Sequence, residues 1–367
     1  MDSRREALFS PFTLNNGVTV PGRLTAAPLT LYCQEPDGSV SEAERAFLSA
    51  RGRGFGLYIL GATLVTANGQ GFPGQPRALF DTDMPSLKER VQLIRRKGAL
   101  VITQLHHAGN KGRPEFLPRH EVVAPSDDPE TGARGLNPAE VKAVIHGFAH
   151  AADLAMASGA DGVEVHGANQ YLLQQFFSRK TNRRTDAWGG TLEKRMAMPL
   201  AALDAVLRER EKYGKKDFIV GYRLSPEEPG ELGITMEETL ALVRELVKRP
   251  IQYIHVSQKH FWQTARRGAD PSRTRLELIR EAVGGKCAVI GLGDLWTGED
   301  FSKALGTGWV DFVATGRALM LNPRLPELIR EGKDSEIQTS LNPVSAKTCE
   351  CPEVLWPRLP HAEGFGG

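Results

Sequence analysis

The 367-residue chain has four cysteines, at positions 33, 287, 349 and 351, too scattered for a disulfide framework and without a zinc-type CxxC pair. Thiols this sparse suit a reducing compartment, so a cytoplasmic location is the expectation. Long apolar runs are missing: nothing approaches the ~18 residues of a membrane span. The start Met1-Asp2-Ser3-Arg4-Arg5-Glu6 leads into no apolar signal region, so neither secretion nor a membrane partner is expected. Excess charge of one sign is missing too. The 46 Lys+Arg against 44 Asp+Glu leave a formal charge of +2, which argues against a nucleic-acid partner held by a basic face. Internal repeats and low-complexity tracts are absent. What is there, 41% hydrophobic and 25% charged residues, is the composition of an ordinary globular protein. The length fits two domains or one large α/β barrel.

Short, nearly continuous apolar runs, rich in Val and Ile, recur at 24–29, 57–65, 99–105, 162–166, 218–224, 251–257, 287–291 and 311–315. Buried parallel strands have this pattern. Amphipathic segments separate them, at about 86–97, 138–158, 192–213, 273–283, 298–305 and 324–331. Ser41 with Glu44, and Thr235 with Glu238, read as capping boxes opening two further helices. Eight strand–helix units in unbroken alternation predict a single (β/α)8 TIM barrel over 23–334. A doubly wound sheet with a second domain is the weaker alternative, because no GxGxxG turn follows the first run and no linker divides the chain. Residues 1–22, with Asn16-Gly17 between Leu14 and Val18, read as a β-hairpin covering the barrel floor. Residues 335–367, proline-bearing and ending Gly364-Phe365-Gly366-Gly367, read as an irregular tail. Cys349 and Cys351 are expected to be exposed on it. The tail is long enough to reach a neighbouring copy, which is compatible with a homo-oligomer.

In such a barrel the chemistry gathers at the C-terminal ends of the strands. The polar residues there are Thr30 and Tyr32, Thr63 beside Ala62, Gln104, His106 and His107, then His166, Asn169 and Tyr171, Arg223, Lys259 and His260. Gly291-Leu292-Gly293 and Gly316-Arg317 end the last two units. Glycines there let the backbone aim N–H groups at a phosphate, and Arg317 adds a guanidinium. Glycines that only make tight turns would look the same. His166 and Asn169, three apart, would meet over one point if an irregular helical turn joined them, and two neutral N–H donors there would stabilise an enolate-like charge. Tyr171 would supply a proton to the neighbouring carbanion carbon. A metal site from Glu164, His166 and the His106-His107 pair lacks HxH or HExxH spacing and is not expected. Lys259 as a Schiff-base lysine is less favoured than a solvated loop lysine.

These same positions carry a family resemblance. The run from His166-Gly-Ala-Asn169-Gln-Tyr171 through Phe176-Phe177-Ser178, Asn182-Arg-Arg184-Thr185-Asp186-Ala-Trp188-Gly189-Gly190 and Glu193-Lys-Arg195 resembles the signature of the old yellow enzymes. Ala26-Ala27-Pro28-Leu29-Thr30, Gln104-Leu105-His106-His107-Ala108-Gly109, Gly221-Tyr222-Arg223-Leu224-Ser225 and Gly316-Arg317 extend the likeness in the right order over about 8–335. The resemblance implies an FMN-dependent NAD(P)H:flavin oxidoreductase, an ene-reductase, with FMN tightly but non-covalently bound and NADH or NADPH as co-substrate. It implies the FMN phosphate on Gly293, Gly316 and Arg317, and Arg223 beside the N1–C2=O edge. Gln104 would bond the pyrimidine edge, Ala27, Pro28, Leu29, Thr30 and Ala62 would line the ring, and Thr30 would tune the flavin. The implied reaction is ping-pong: hydride reaches Cβ of a small enone or enal held by His166 and Asn169, Tyr171 protonates Cα, and Tyr32 contacts the substrate. Thr30 and Tyr32 mix features of two branches, Trp188 stands where Tyr is usual, and Lys194 where Asn is common. A phosphosugar lyase or isomerase using the same phosphate loops, and a flavin-binding protein without turnover, remain the competing readings.

Overall fold

A computed structural model describes residues 3–362. The chain ends, including the glycine-rich 364–367, lie outside the described residues. Eight parallel strands close a barrel: β1 Leu24–Ala26, β2 Leu57–Leu64, β3 Leu100–His106, β4 Gly162–Gly167, β5 Ile219–Leu224, β6 Tyr253–Val256, β7 Ala288–Gly291 and β8 Phe312–Thr315. They pair in chain order and β8 closes on β1. The expected TIM barrel is the observed fold, with each strand within a few residues of its apolar run.

Helices α1 Glu42–Ala50, α2 Met84–Arg95, α3 Pro138–Ala157, α4 Leu192–Lys212, α5 Met236–Leu246, α6 Arg275–Val283, α7 Gly298–Leu305 and α8 Leu325–Glu331 pack outside. Their starts follow local chemistry. Thr235 and Glu238 form the expected reciprocal box. Ser41 does accept the Glu44 N–H at 3.0 Å, but the Glu44 carboxylate does not turn back to complete a box. It is buried and takes a bidentate pair from Arg90 at 3.0 and 2.8 Å, because a buried carboxylate needs a countercharge more than a cap.

Inside the barrel, Leu57, Ile59, Ile102, Ile219, Ile290 and Phe312 form an apolar floor. The hairpin Phe12–Thr13 with Thr19–Val20 closes it from below, Phe12 standing edge-on to Phe312 at 5.2 Å. Asn15 at its tip donates to the carbonyls of Ile251 and Lys286 at 2.7 and 2.8 Å. A short helix Ser3–Leu8, not anticipated from sequence, precedes the hairpin.

The tail differs from expectation in two respects. It carries a helix Pro343–Thr348, and Cys349 and Cys351 are buried, not exposed. The reason is Arg51, fully buried, whose guanidinium reaches the carbonyls of Phe47, Leu319, Met320 and Cys349. It also lies 3.7 Å from the Phe47 ring centroid. One cation thus joins the end of α1, the segment after β8 and the tail.

Replacing Arg51 by Met leaves several buried carbonyls unpaired, at roughly 1–3 kcal/mol per lost partner partly relieved by water entry. Arg51→Met should lower unfolding stability by about 2–4 kcal/mol and expose the tail to limited proteolysis. Denaturant unfolding and a protease time course check both; a tail as protected as in the wild type would contradict the tethering role.

Candidate active site

Side chains alternate across a strand, so every second residue of each strand faces the barrel interior. Reading upward from the floor, β3 presents Ile102, Gln104 and His106, β4 Gly162, Glu164 and His166, and β5 Ile219, Gly221 and Arg223. Register aligns Gln104 with Glu164, and His166 with Arg223 and His255. The interior therefore changes from apolar at the floor to polar at the C-terminal end.

His166 is buried, and its Nδ1 accepts the Ala168 N–H at 3.2 Å. Its proton is thus on Nε2, and burial pushes its pKa well below the usual value, so it offers a neutral N–H donor. His106 stands beside it, ring centroids 5.5 Å apart. Gln75 sets its tautomer: the Gln75 Oε1 accepts from Gly71, so its Nε2 donates to His106 Nδ1 at 2.9 Å. The His106 Nε2 is left buried without a partner among the described residues, and burial lowers the His106 pKa to about 3. Tyr171 packs edge-on against both rings, at 4.3 Å from His106 and 5.2 Å from His166. Burial raises its pKa, so the phenol keeps its proton. Lys111 lies 5.3 Å over the Tyr171 ring and donates to the Asn169 carbonyl at 3.0 Å.

The loop that delivers Tyr171 is not the helical turn expected. Asn169 and Gln170 both take left-handed φ, 58° and 60°, which reverses the chain before the helix Leu172–Phe177. Asn169 is exposed, and its Oδ1 accepts from Ser257 Oγ at 2.8 Å, leaving the amide N–H2 as the free end. His166 and Asn169 share no hydrogen bond. His107 serves the loops instead: its Nδ1 accepts from Gly109 at 3.0 Å and its Nε2 meets Asn68 at 3.2 Å.

Beside this cluster opens a cleft of roughly 300 Å³, lined by Ala27, Pro28, Leu29, Arg223, Lys259, Gly293, Gly316 and Arg317. Arg223 is buried there, with its Nε lacking any partner among the described residues. Gly293 takes φ +140°, and a Cβ would meet the backbone of His260 and Phe261 at 2.5 Å, so only glycine fits. Arg317 pairs with Asp294 at 2.7 Å. Thr30 and Ala62 line a tighter pocket that shares Ala27 and Leu29 with this cleft. Gln104 is buried and donates to Glu164 at 2.7 Å. Tyr32, at φ +54°, lies between Phe72 (5.4 Å) and Arg358 of the tail (4.1 Å). His260 approaches Asp294 at 3.4 Å. Among the described residues no group of three His, Cys, Asp or Glu is placed to hold a metal ion, and Glu164 turns to Gln104 and His255. No helix of the described residues is long and apolar enough to cross a membrane.

Sequence reasoning missed Gln75, Lys111, His255 and Asp294. His255 had a signal, since it alternates with Tyr253 inside the sixth run. Gln75 had none, because only the folded loop brings it to His106.

Comparison with known proteins agrees with the resemblance read from the strand-four signature. Residues 7–336 match the family described as NADH:flavin oxidoreductase / NADH oxidase. The chain is 40% identical to "Probable NADH-dependent flavin oxidoreductase YqiG" of Bacillus subtilis, over 100% of this chain and 99% of that protein. It is 32% identical to the NADH:acrylate oxidoreductase of Vibrio harveyi over 86% of this chain, but spans only 32% of that longer protein. The solved structure of morphinone reductase in complex with tetrahydroNAD superposes with a TM-score of 0.77 at 27% identity, covering 98% of this chain and 99% of that one.

Burial gives His106 and His107 folded pKa values of about 3, against ~6.5 when unfolded. Between these values the unfolded chain binds more protons, so stability falls as pH drops from about 6.5 toward 3. Each histidine adds at most about 1.4 kcal/mol per pH unit in that window. His106→Gln should make the slope shallower by about one proton, read from urea unfolding between roughly pH 4.5 and 7; an unchanged slope would count against a neutral, buried His106.

Proposed function

Since the chain belongs to the NADH:flavin oxidoreductase / NADH oxidase family, we propose that it is an FMN-dependent ene-reductase that takes electrons from NADH or NADPH and saturates the C=C bond of a small α,β-unsaturated carbonyl compound. The observation that carries this reading is a set of donors at the end of β4: a neutral imidazole with its proton on Nε2, an amide with its N–H2 free, and a half-buried phenol that retains its proton.

The residues present fit FMN. A buried guanidinium without a protein partner calls for an electron-rich neighbour, and Arg223 faces the cleft. The Gly293 turn, which no Cβ could enter, and Arg317 suit a phosphate at the other end of the same cleft. Ala27, Pro28, Leu29, Gly293, Gly316 and Arg317 would hold the cofactor, with Gln104, Thr30 and Ala62 at its rim. The bound flavin supplies hydride acceptance from the nicotinamide and hydride donation to the substrate.

The protein's own part is binding, polarisation and one proton. His166 and Asn169 would hold the carbonyl oxygen with two N–H donors, and both bonds strengthen as negative charge grows on that oxygen. Neutral imidazole suits this work, since it donates a bond without moving its own proton. The Tyr171 phenol would deliver its proton to Cα, with Lys111 above the ring to steady the phenolate that forms. Tyr32, gripped by Phe72 and Arg358, would border the substrate. Acrylate and morphinone, the compounds that name two of the relatives, both bear the required C=C–C=O unit.

The protein as purified should be yellow and release FMN on denaturation. Tyr171→Phe should slow the oxidative half-reaction with an enone by roughly 10²–10⁴-fold, the usual worth of general acid catalysis, and leave reduction by NADH nearly unchanged. Rapid-reaction spectroscopy of the two half-reactions separates them. Equal losses in both would remove Tyr171 from the proton step, and borohydride trapping of a substrate on Lys259 would favour the lyase reading instead.

A further inference from the structure

Glu164 is wholly enclosed by the barrel, and the chemistry proposed above makes no use of it. Its Oε1 accepts the Gln104 amide at 2.7 Å and its Oε2 accepts the Nδ1–H of His255 at 2.8 Å. Burial alone would keep this carboxyl protonated, but His255, Arg223 and Gln104 outweigh burial and hold its pKa below the usual range. His255 itself is pushed down by burial despite the attraction of Glu164. With Nδ1 donating, its bare Nε2 is buried and has no partner among the described residues. A permanent cation that also acts on Glu164 is Arg223, one row up and on the neighbouring strand. Tyr253 fills the space over Gly221, whose Cβ would stand 2.1 Å from the Tyr253 ring.

Two consequences follow for whatever lies against Gln104 and Arg223. The Gln104 amide is oriented: its N–H2 is committed to Glu164, and its Oε1 is the free end, an acceptor. The Arg223 cation is partly cancelled by a negative charge that water cannot screen. A neutral residue at 164 would cost far less to bury, so the carboxylate here is not explained by stability.

We propose that Glu164 is a positioning residue for the bound flavin: it fixes which end of the Gln104 amide meets the cofactor, offsets the Arg223 charge, and so sets the cofactor's reduction potential. This rests on the assignment of Gln104 and Arg223 to the flavin made above. Reduction adds negative charge near Arg223, and the Glu164 charge opposes it. Neutralising Glu164 should therefore strengthen binding of reduced relative to oxidised FMN by about tenfold, the size expected for one unit charge acting over roughly 10 Å at an effective dielectric of ~20. For a two-electron couple that is a rise of about 30 mV.

The test is the midpoint potential of the FMN-loaded protein, by spectroelectrochemistry, for wild type, Glu164→Gln, Glu164→Met and His255→Gln. Both Glu164 variants should raise the potential, and either one suffices if the other does not fold. His255→Gln keeps a neutral donor to Oε2 and should leave the potential at the wild-type value. A merely structural Glu164 would alter melting or FMN retention but not the potential, so unchanged potentials in loaded Glu164 variants would overturn the proposal. A shift in His255→Gln as large as that in Glu164→Gln would also overturn it, by placing the effective charge on the imidazole. Wild-type protein that takes up no FMN would defeat the functional reading itself, which separates the two failures.

Discussion

The interior of a closed parallel barrel has little access to water, so a polar side chain placed there must be satisfied by another side chain. The upper half of this barrel depends on that constraint. Gln104 has Glu164, Glu164 has His255, and His106 has Gln75. Each partner also settles an ambiguity, since an imidazole has two tautomers and an amide two orientations. Once the neighbours are fixed, each imidazole or amide keeps a single free end. The site's donors and acceptors are thus a by-product of the barrel's need to pair what it buries.

Arg223 is one exception, alongside the unpartnered Nε2 atoms of His106 and His255, and it gives the site its direction. Its Nε is buried and unpartnered among the described residues, facing a cleft whose far end holds Gly293, Gly316 and Arg317. A cation in that state is poised for a ligand to complete the pairing. Asp294 and Arg317 show the complementary case: exposed near the mouth, they pair with each other at 2.7 Å. In a solvated setting such a pair contributes little, so its guanidinium is readily lent to a stronger anion.

Much of the fold was legible because the relevant signals are local. Eight apolar runs marked eight strands, and the Thr235–Glu238 spacing marked the start of α5, since capping is decided within one turn. Local signals failed where a distant residue intervened. Glu44 sits at the right spacing for a box but pairs with Arg90, which lies on α2. Cys349 and Cys351 belong to a polar, proline-bearing segment that reads as exposed, yet Arg51 draws their backbone into the protein. The strand-end residues were legible as a set, and Tyr171 and His166 do lie together. The loop between them was misread, because nothing local announces two successive left-handed residues at Asn169 and Gln170.

By itself, then, the sequence determined the barrel, its polar C-terminal end and membership in a flavin oxidoreductase family, because alternation, caps and signature residues are properties of neighbours along the chain. Its near-zero charge and few thiols narrowed the field but named no chemistry. Only the tertiary structure decided which nitrogen of His166 and of His106 carries the proton, which way the Gln104 and Asn169 amides point, and which groups surround Glu164. Those choices rest on partners tens to hundreds of residues away, and burial in a low-dielectric interior is what makes them binding.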